Sequence, residues 1–419
     1  MTILAPTTPA RLFLGLHGRP ATSLDDHLAL HGPAPLRADL LDQLEAAGLT
    51  GRGGAAFPTA TKARFVAKGR GRRRVVAVNA MEGEPAAIKD QTLLATSPHL
   101  VLDGAQAMAA AIRADRVVIC VARDHAAAQA HVVAAVAERA AHDPIAVEVV
   151  VPPGRYVAGE ESALAHFLDG GEATPTFRKD RPSLLRVGSR PVLVDNAETL
   201  AHVALIDRHG PAWFRAVGSD EAPGTALFSV WPWGPPVCLE APTSATARTL
   251  LAEAGMSKSV AGVLLGGYGG TWVGPEALDA PLSPGGLAPF GAQRGAGIVY
   301  AVPSDACGIA ETAAIAGFMS QESAGQCGPC AFGLPAVAED LDRLVRGIDH
   351  RALEHLERRL ASVDGRGACR HPDGVARMIR SALNVFGHDA RRHAAGEPCA
   401  HARRRPLAPT PNLFHEGWR

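Results

Sequence analysis

Arg74-Val75-Val76-Ala77-Val78-Asn79-Ala80-Met81-Glu82-Gly83-Glu84-Pro85 sets the architecture. Its first five residues are a largely β-branched, apolar run of strand length, and the rest is an acidic turn closed by proline. A second such run, Arg116 to Val121, follows an Ala-rich stretch from His99 to Ala114 that reads as a helix. Asp124 is placed to cap a further helix to about Ala141, and Ile145 to Val151 reads as a third strand. Strands alternating with helices imply an α/β layer arrangement through about residue 215. Upstream, Leu40, Leu41, Leu44 and Ala47 recur at helical spacing, and Gly48 stops the helix.

Beyond residue 220 the pattern changes. Short strand segments from Ala226 to Leu239, broken by Pro232, Pro235 and Pro236, precede a helix near Ala245 to Ala254 and an apolar strand from Gly262 to Leu265. Such a unit of roughly 70 residues is a small second domain. A Pro- and Gly-rich loop, Gly274 to Gly297, leads into a strand from Gly297 to Val302. Ala306 to about Val385 reads as helical, with Leu341, Leu344, Val345 and Ile348 forming one stripe, which predicts a helical bundle. The tail after Gly387, with Arg391, Arg392 and Arg403 to Arg405, reads as a solvated extension.

The whole chain has 419 residues, with 42 Lys and Arg balancing 42 Asp and Glu, so no overall positive field draws a nucleic-acid backbone. With 47% hydrophobic residues it can bury a sizeable core, in two or three domains by length. Seven cysteines, an odd number with five after residue 300, do not read as a secreted disulfide framework. Pro6, Thr7, Thr8, Pro9 and Arg11 interrupt what would be a signal peptide, and no apolar stretch approaches the ~18 residues of a membrane span. The expectation is a soluble protein of a reducing compartment. The basic run Lys68 to Arg74 reads as a surface loop or a dock for an acidic partner.

Four motifs can carry chemistry. Gly51-Arg52-Gly53-Gly54-Ala55-Ala56-Phe57-Pro58-Thr59-Ala60-Thr61-Lys62 lets backbone approach a ligand, and Lys62 adds a mobile positive charge. It follows a helix and lacks G-x-G-x-x-G spacing, so it is not a dinucleotide fingerprint; alone it reads equally as a tight turn. Asn79, Glu82 and Glu84 sit just past a strand, where α/β sheets gather ligands, and the carboxylates can accept from ribose hydroxyls. Alone, they also read as an exposed acidic turn. Gly154 to Ser162 carries Tyr156, Gly159, Glu160 and Glu161 at a helix start, where the macrodipole favours acids for stability alone. Finally, Cys327-Gly328-Pro329-Cys330, with Cys369 further on, offers three thiolates to a metal centre; Cys307 and Cys399 are spare, and a redox dithiol is the alternative.

Taken in order, these motifs resemble the NADH-binding flavoprotein subunit of respiratory complex I and its relatives in NAD-linked hydrogenases and formate dehydrogenases. The likeness runs from about Arg37 to Phe386 and takes in Pro191 to Thr199, which resembles the family's flavin-binding asparagine stretch. It implies an α/β FMN- and NADH-binding domain over 1–220, a β-grasp, ubiquitin-like unit over 221–295, a helical iron–sulfur-binding bundle over 296–390 and a tail over 391–419. By motif position, Gly51, Arg52, Gly53, Gly54, Asn79, Asp195, Asn196 and Thr199 would hold FMN, with Tyr156 and Gly159 beside it. Lys62, Glu82, Glu84, Glu160 and Glu161 would line the nicotinamide nucleotide, Phe57 and Phe65 its adenine, with Glu82 and Lys62 catalytic. The resemblance implies hydride transfer from NADH to FMN, then single-electron transfer through a cluster on Cys327, Cys330 and Cys369 to a thioredoxin-like ferredoxin or other redox subunit. The expected setting is cytoplasmic, or peripheral to a membrane complex through partners.

Departures mark a divergent paralogue. The family's N-A-D-E-x-E-P reads N-A-M-E-G-E-P, an asparagine near the flavin becomes Asp195, and the aromatic beyond the adenine falls at Arg181, where a guanidinium could pair with the 2′-phosphate of NADPH. Ala324 replaces the first cluster cysteine, leaving open a [3Fe-4S] cluster, a [4Fe-4S] cluster with a non-cysteine or partner ligand, or none. The rival readings are a diaphorase subunit of another soluble NAD-linked complex, and a scaffold or ligand-binding subunit that no longer transfers hydride.

Overall fold

A computed structural model describes residues 2–3, 10–14, 23–71, 73–177, 184–412 and 417–419. Among them are eleven strands: β1 Thr2–Ile3, β2 Val75–Ala80, β3 Arg116–Val121, β4 Val147–Val150, β5 Arg186–Val187, β6 Arg190–Asn196, β7 Thr225–Trp231, β8 Val237–Pro242, β9 Val260–Leu265, β10 Thr271–Val273 and β11 Ile298–Pro303. They form two mixed sheets flanked by helices.

The first sheet has the order β4-β3-β2-β6-β5, parallel except for the β5–β6 hairpin at its edge. Both faces are covered, which is why β2 and β3 are almost continuously apolar rather than alternating. Val76 and Val78 face helices Leu40–Ala47, Pro98–Ile112 and Ala197–Arg215, while Val75 and Ala77 face helix Glu161–Leu168. Helices Pro98–Ile112 and Ala197–Arg215 touch through Gly104, where a Cβ would come within 1.8 Å of the Leu200 carbonyl oxygen. Parallel strands ending on one side put Asn79, Ala80 and Asn196 together at the sheet's carboxyl edge, in register across β2 and β6.

The second sheet runs β1-β8-β7-β11-β9-β10. Its Val263, Leu265, Val299 and Ala301 pack on helix Ala247–Glu253; Leu264, Ile298, Tyr300 and Val302 pack on the C-terminal helices Gly308–Gln321, Leu334–Arg346, Ala352–Val363 and His371–Val385. Strand β11 lies in the middle of this sheet, which therefore draws on sequence beyond residue 295.

Several expectations are corrected. The prolines after Trp231 do not fragment the strands; they make the turn of one antiparallel hairpin, β7–β8. The helix after β3 is Ala126–Arg139, capped at His125 rather than Asp124, whose carboxylate instead approaches Gly154. Ile348 is 66% exposed because Gly347, in a left-handed conformation (φ 66°), ends the helix before the stripe is complete. The tail is not a free extension: helix Gly387–Ala394 packs on Leu334–Arg346, the Leu407 and Ala408 amides donate to Glu311, and the Tyr268 hydroxyl donates to the Pro409 carbonyl. No described helix is long and apolar enough to cross a membrane.

Candidate functional site

Where the two sheets meet the C-terminal helices, a cavity of about 450 Å³ opens. Its walls come from four segments distant in sequence. Gly53 and Gly54 supply one side, and Asn79, Glu82 and Glu84 the strand-end side. Tyr156, Gly159 and Glu160 form a third wall, and Asn196 closes the floor. Cys369 and His371 stand at the far wall. The structure thus gathers nine of the proposed cofactor residues and one proposed cluster cysteine around one space.

Close packing explains the glycines here. A Cβ at Gly83 would lie 2.9 Å from the Tyr156 carbonyl oxygen and 3.0 Å from that of Arg155, so the acidic turn can meet the Tyr156 loop only without a side chain. The Asn79 amide completes the joint by donating to the Gly159 carbonyl at 2.8 Å. Asn196 caps helix Ala197–Arg215 through the Glu198 amide and donates to Asp90 at 2.6 Å.

The two glutamates are not an exposed turn. Glu82 has φ +42°, a strained value for a side chain, and its carboxylate accepts from the Asp90 and Gln91 amides at 2.7 and 3.0 Å, capping helix Lys89–Thr96. Burial, then the neighbouring Asp90, push its pKa up. Glu84 Oε2 accepts from the Tyr268 amide at 3.0 Å and the Tyr156 hydroxyl at 3.1 Å, while its buried Oε1 has no protein partner. Burial raises Glu84 to about 7 against an ordinary 4.5. A raised acid favours the fold while protonated and loses that contribution as pH climbs through its folded pKa. Glu84→Gln is therefore expected to be more stable than the parent at pH 8, by on the order of 1 kcal/mol, and indistinguishable at pH 4. Urea unfolding of both chains at the two pH values checks this; the buried histidines that titrate below pH 6.5 cancel in the comparison.

Other site residues stand outside this cavity. Lys62 is not mobile: its ammonium pairs with Glu161 at 2.5 Å and donates to the Val194 carbonyl. Asp195 lies buried near this pair, with Oδ2 unpartnered, and burial raises it to about 6. Arg52 turns inward, bonding the Thr225 and Pro223 carbonyls, while its amide donates to Thr199 Oγ1 at 2.9 Å. Gly51 closes the loop through the Phe57 carbonyl, and Phe57 and Phe65 are exposed, away from the cavity. Glu160 caps helix Glu161–Leu168 through the Ser162 and Ala163 amides. Met81 is fully buried among Val75, Val118 and Ala158, so the family's aspartate is replaced here by a core side chain beneath the loop. Arg181 lies outside the described residues.

Residues not singled out in the sequence complete the site. Lys89 is buried between Asp90 at 2.7 Å and Glu198 at 3.0 Å, whose carboxylates hold its pKa up despite burial. The run Gly266-Gly267-Tyr268-Gly269-Gly270 after β9 forms part of the lining, and a Cβ at Gly267 would meet Glu84 Oε2 at 2.6 Å. His371 packs edge-on to Tyr156, centroids 5.5 Å apart, and burial lowers it to about 4, so it stays neutral. The glycine run was visible in the sequence; Lys89 had no signal beyond a charged pair after an apolar turn.

The cysteine segment is tied to the cavity wall. Glu322 accepts from Arg155 Nε at 2.8 Å and from the Tyr156 amide at 3.1 Å, with the Arg155 and Glu322 side chains both buried. Cys327 and Cys369 lie close enough to Cys330 to reinforce the upward push of burial on its thiol. Ala324 offers no ligand atom, while the Ser323 hydroxyl reaches the Cys330 sulfur.

A parallel α/β sheet with an acidic, glycine-lined cleft at its carboxyl edge and thiols in the adjoining wall defines a nucleotide-binding redox protein. The Nuo51 FMN-binding domain matches residues 44–205, and the NADH-ubiquinone oxidoreductase-F iron-sulfur binding region matches residues 310–393. A second-copy F protein of the NADH-quinone oxidoreductase of Rhizobium meliloti is 29% identical over 86% of this chain and 90% of its own length. The corresponding F protein of Streptomyces coelicolor is 30% identical over 86% and 84%. A solved NAD⁺-reducing [NiFe]-hydrogenase in its H2-reduced state superposes with a TM-score of 0.79 at 29% identity over 88% of this chain, which spans 64% of the hydrogenase chain. The chain belongs to the F family of NADH-quinone oxidoreductase subunits, the FMN- and iron–sulfur-bearing flavoproteins that oxidise NADH.

Proposed function

We propose that this chain binds FMN in the cleft, presents NADH to it and hands electrons to an iron–sulfur centre and then to a redox partner subunit. One observation carries the reading: Cys369 shares a cavity with Gly53, Asn79, Glu84 and Asn196, so a planar cofactor held by the strand ends would lie against a cluster ligand. The fit is supported by the unpartnered Glu84 Oε1, which suits a ligand hydroxyl or amide, and by the side-chain-free joint at Gly83.

Bound FMN supplies the conversion of a two-electron donor into one-electron steps. The protein's part is position and electrostatics. Gly53 and Gly54 with Asn79 and Asn196 would hold the flavin, Tyr156 and Gly159 would flank it, and Thr199, Asp195, Gly51 and Arg52 would support the loop from behind. Glu82, Glu84 and Glu160 would line the nucleotide, with the Lys62–Glu161 pair fixing the neighbouring helix. The thiols of Cys327, Cys330 and Cys369 suit a cluster with three protein sulfurs, and the Ser323 hydroxyl, next to Ala324 in sequence, is the oxygen that reaches this group. We read the β7–β11 sheet with helix Ala247–Glu253 as the β-grasp unit, extended to include β11, and the helices after it as the cluster-bearing bundle. The partner is a thioredoxin-like ferredoxin or an equivalent redox subunit, in the cytoplasm.

The test is anaerobic addition of NADH to the protein loaded with FMN, with NADPH run in parallel. Bleaching of the flavin absorbance within the mixing time is expected with NADH. Flavin that binds but stays oxidised would favour the ligand-binding reading that Ala324 raises.

A further inference from the structure

A second set of soft ligands lies in the helical part, away from the cleft. Cys307 caps helix Gly308–Gln321, its sulfur accepting from the Ala310 amide at 3.4 Å. Helix Gly387–Ala394 brings the wholly buried His393 to this point, with Nε2 3.9 Å from Cys307 Sγ. The chain then turns back so that the Cys399 amide meets the same nitrogen at 3.1 Å. Among the described residues, Cys307, His393 and Cys399 are the one trio of His, Cys, Asp or Glu whose ligand atoms all lie within 4.8 Å of one another.

We propose that Cys307, His393 and Cys399 bind a single zinc-like divalent ion, with a fourth position left to water or a small anion. A tetrahedral ion with bonds of about 2.3 Å to sulfur and about 2.0 Å to nitrogen sets its ligands roughly 3.5 to 3.8 Å apart, so the trio needs only slight closure. Two thiolates and a neutral imidazole balance a dication, so loading adds no net charge to the interior. The site is separate from the proposed cluster: Cys307 starts a 14-residue helix, about 21 Å long, and Cys327 and Cys330 follow its far end. Asp389 and Arg392 are the charged groups that act on His393.

Placement suggests a purpose. The ion would join the start of one helix to the segment 399–411, whose residues Leu407 and Ala408 bond to Glu311 and whose residues 405–411 line a cavity with Glu82 and Glu84. It would therefore anchor the chain that borders the acidic turn.

The test uses the full chain with any affinity tag removed and with Cys327 and Cys330 both replaced by serine, so that iron does not compete. Metal analysis after growth with zinc should find about one zinc per chain, and cobalt substitution should give thiolate-to-cobalt charge-transfer absorbance with tetrahedral visible bands. Adding Cys307→Ser and Cys399→Ser should remove both while the far-ultraviolet dichroism is retained. His393→Gln should weaken cobalt binding at least tenfold. A folded parent that takes up no zinc or cobalt, a cobalt spectrum unchanged by the serine pair, or a Cys307–Cys399 disulfide in the isolated protein would overturn the proposal.

Discussion

Gly83→Val is expected to purify without flavin and to bind added FMN about tenfold to a hundredfold more weakly than the parent. A branched side chain at this position enters the space held by the Arg155 and Tyr156 backbone, at 3.0 and 2.9 Å from a Cβ, and neither carbonyl can rotate away as a side chain would. Overpacking of this kind costs roughly 1–3 kcal/mol, and each 1.4 kcal/mol of it that falls on the bound state is a factor of about ten in affinity. The displaced loop carries Tyr156 and Gly159, which border the cavity, and is also held by the Asn79 amide, so the strain reaches the flavin position from two sides. Gly234→Ala, where a Cβ meets nothing within 4 Å, is the control and should bind FMN as the parent does. Fluorescence quenching of FMN titrated with each protein measures both. A valine variant of parental affinity would mean that the Tyr156 loop is not a wall of the flavin site.

The second large effect concerns the joint between cleft and cysteines. Arg155→Ala removes the guanidinium from the Glu322 carboxylate, 2% exposed, and leaves it the Tyr156 amide; breaking such a buried pair from one side costs about 3–5 kcal/mol. Replacing both members with apolar residues, as in Arg155→Met with Glu322→Leu, should recover most of that loss. The two variants should differ from the parent in electron flow as well. Both lose the fixed spacing between the Tyr156 loop and the Cys327–Cys330 segment, so reduction of a one-electron acceptor should fall more than bleaching of the flavin by NADH. Denaturant unfolding and paired acceptor assays check the two halves. An Arg155→Ala chain as stable as the parent would show that Glu322 finds water or another cation in place of the guanidinium.

Much of this architecture could be read from residues in order. Val75 to Val78 and Arg116 to Val121 lie in strands because parallel sheets covered on both faces need unbroken β-branched runs, and Gly48 and Gly347 end helices through left-handed conformations. The site was legible as a set of motifs, since Asn79, Glu82, Glu84 and Asn196 follow or end strands that finish on one side of the sheet. What sequence order does not carry is direction. Lys62 and Arg52 looked like charges aimed at a ligand, yet one is held by Glu161 and the other by the Thr225 carbonyl, because a buried charge turns to the nearest acceptors. Met81 looked like a lost catalytic acid and lies under the loop instead. The tail's arginines suggested solvent, but the apolar and proline residues that follow them supply the contacts with Glu311 and Tyr268. Lys89, His371 and the glycines from Gly266 to Gly270 reach the cleft only through tertiary packing of separate units.

If electrons from NADH cross this cleft to iron bound by Cys327, Cys330 and Cys369, flavin and iron must respond to the same donor in one chain. Anaerobic mixing of NADH with the FMN-loaded, iron-containing protein, followed at the flavin absorbance and by low-temperature electron paramagnetic resonance, reads both in the parent and in Cys330→Ala. Flavin bleaching is expected in both chains, and an iron–sulfur signal that changes on NADH addition in the parent alone. Bleaching in neither, or a parent whose iron signal is indifferent to NADH, would contradict this electron path.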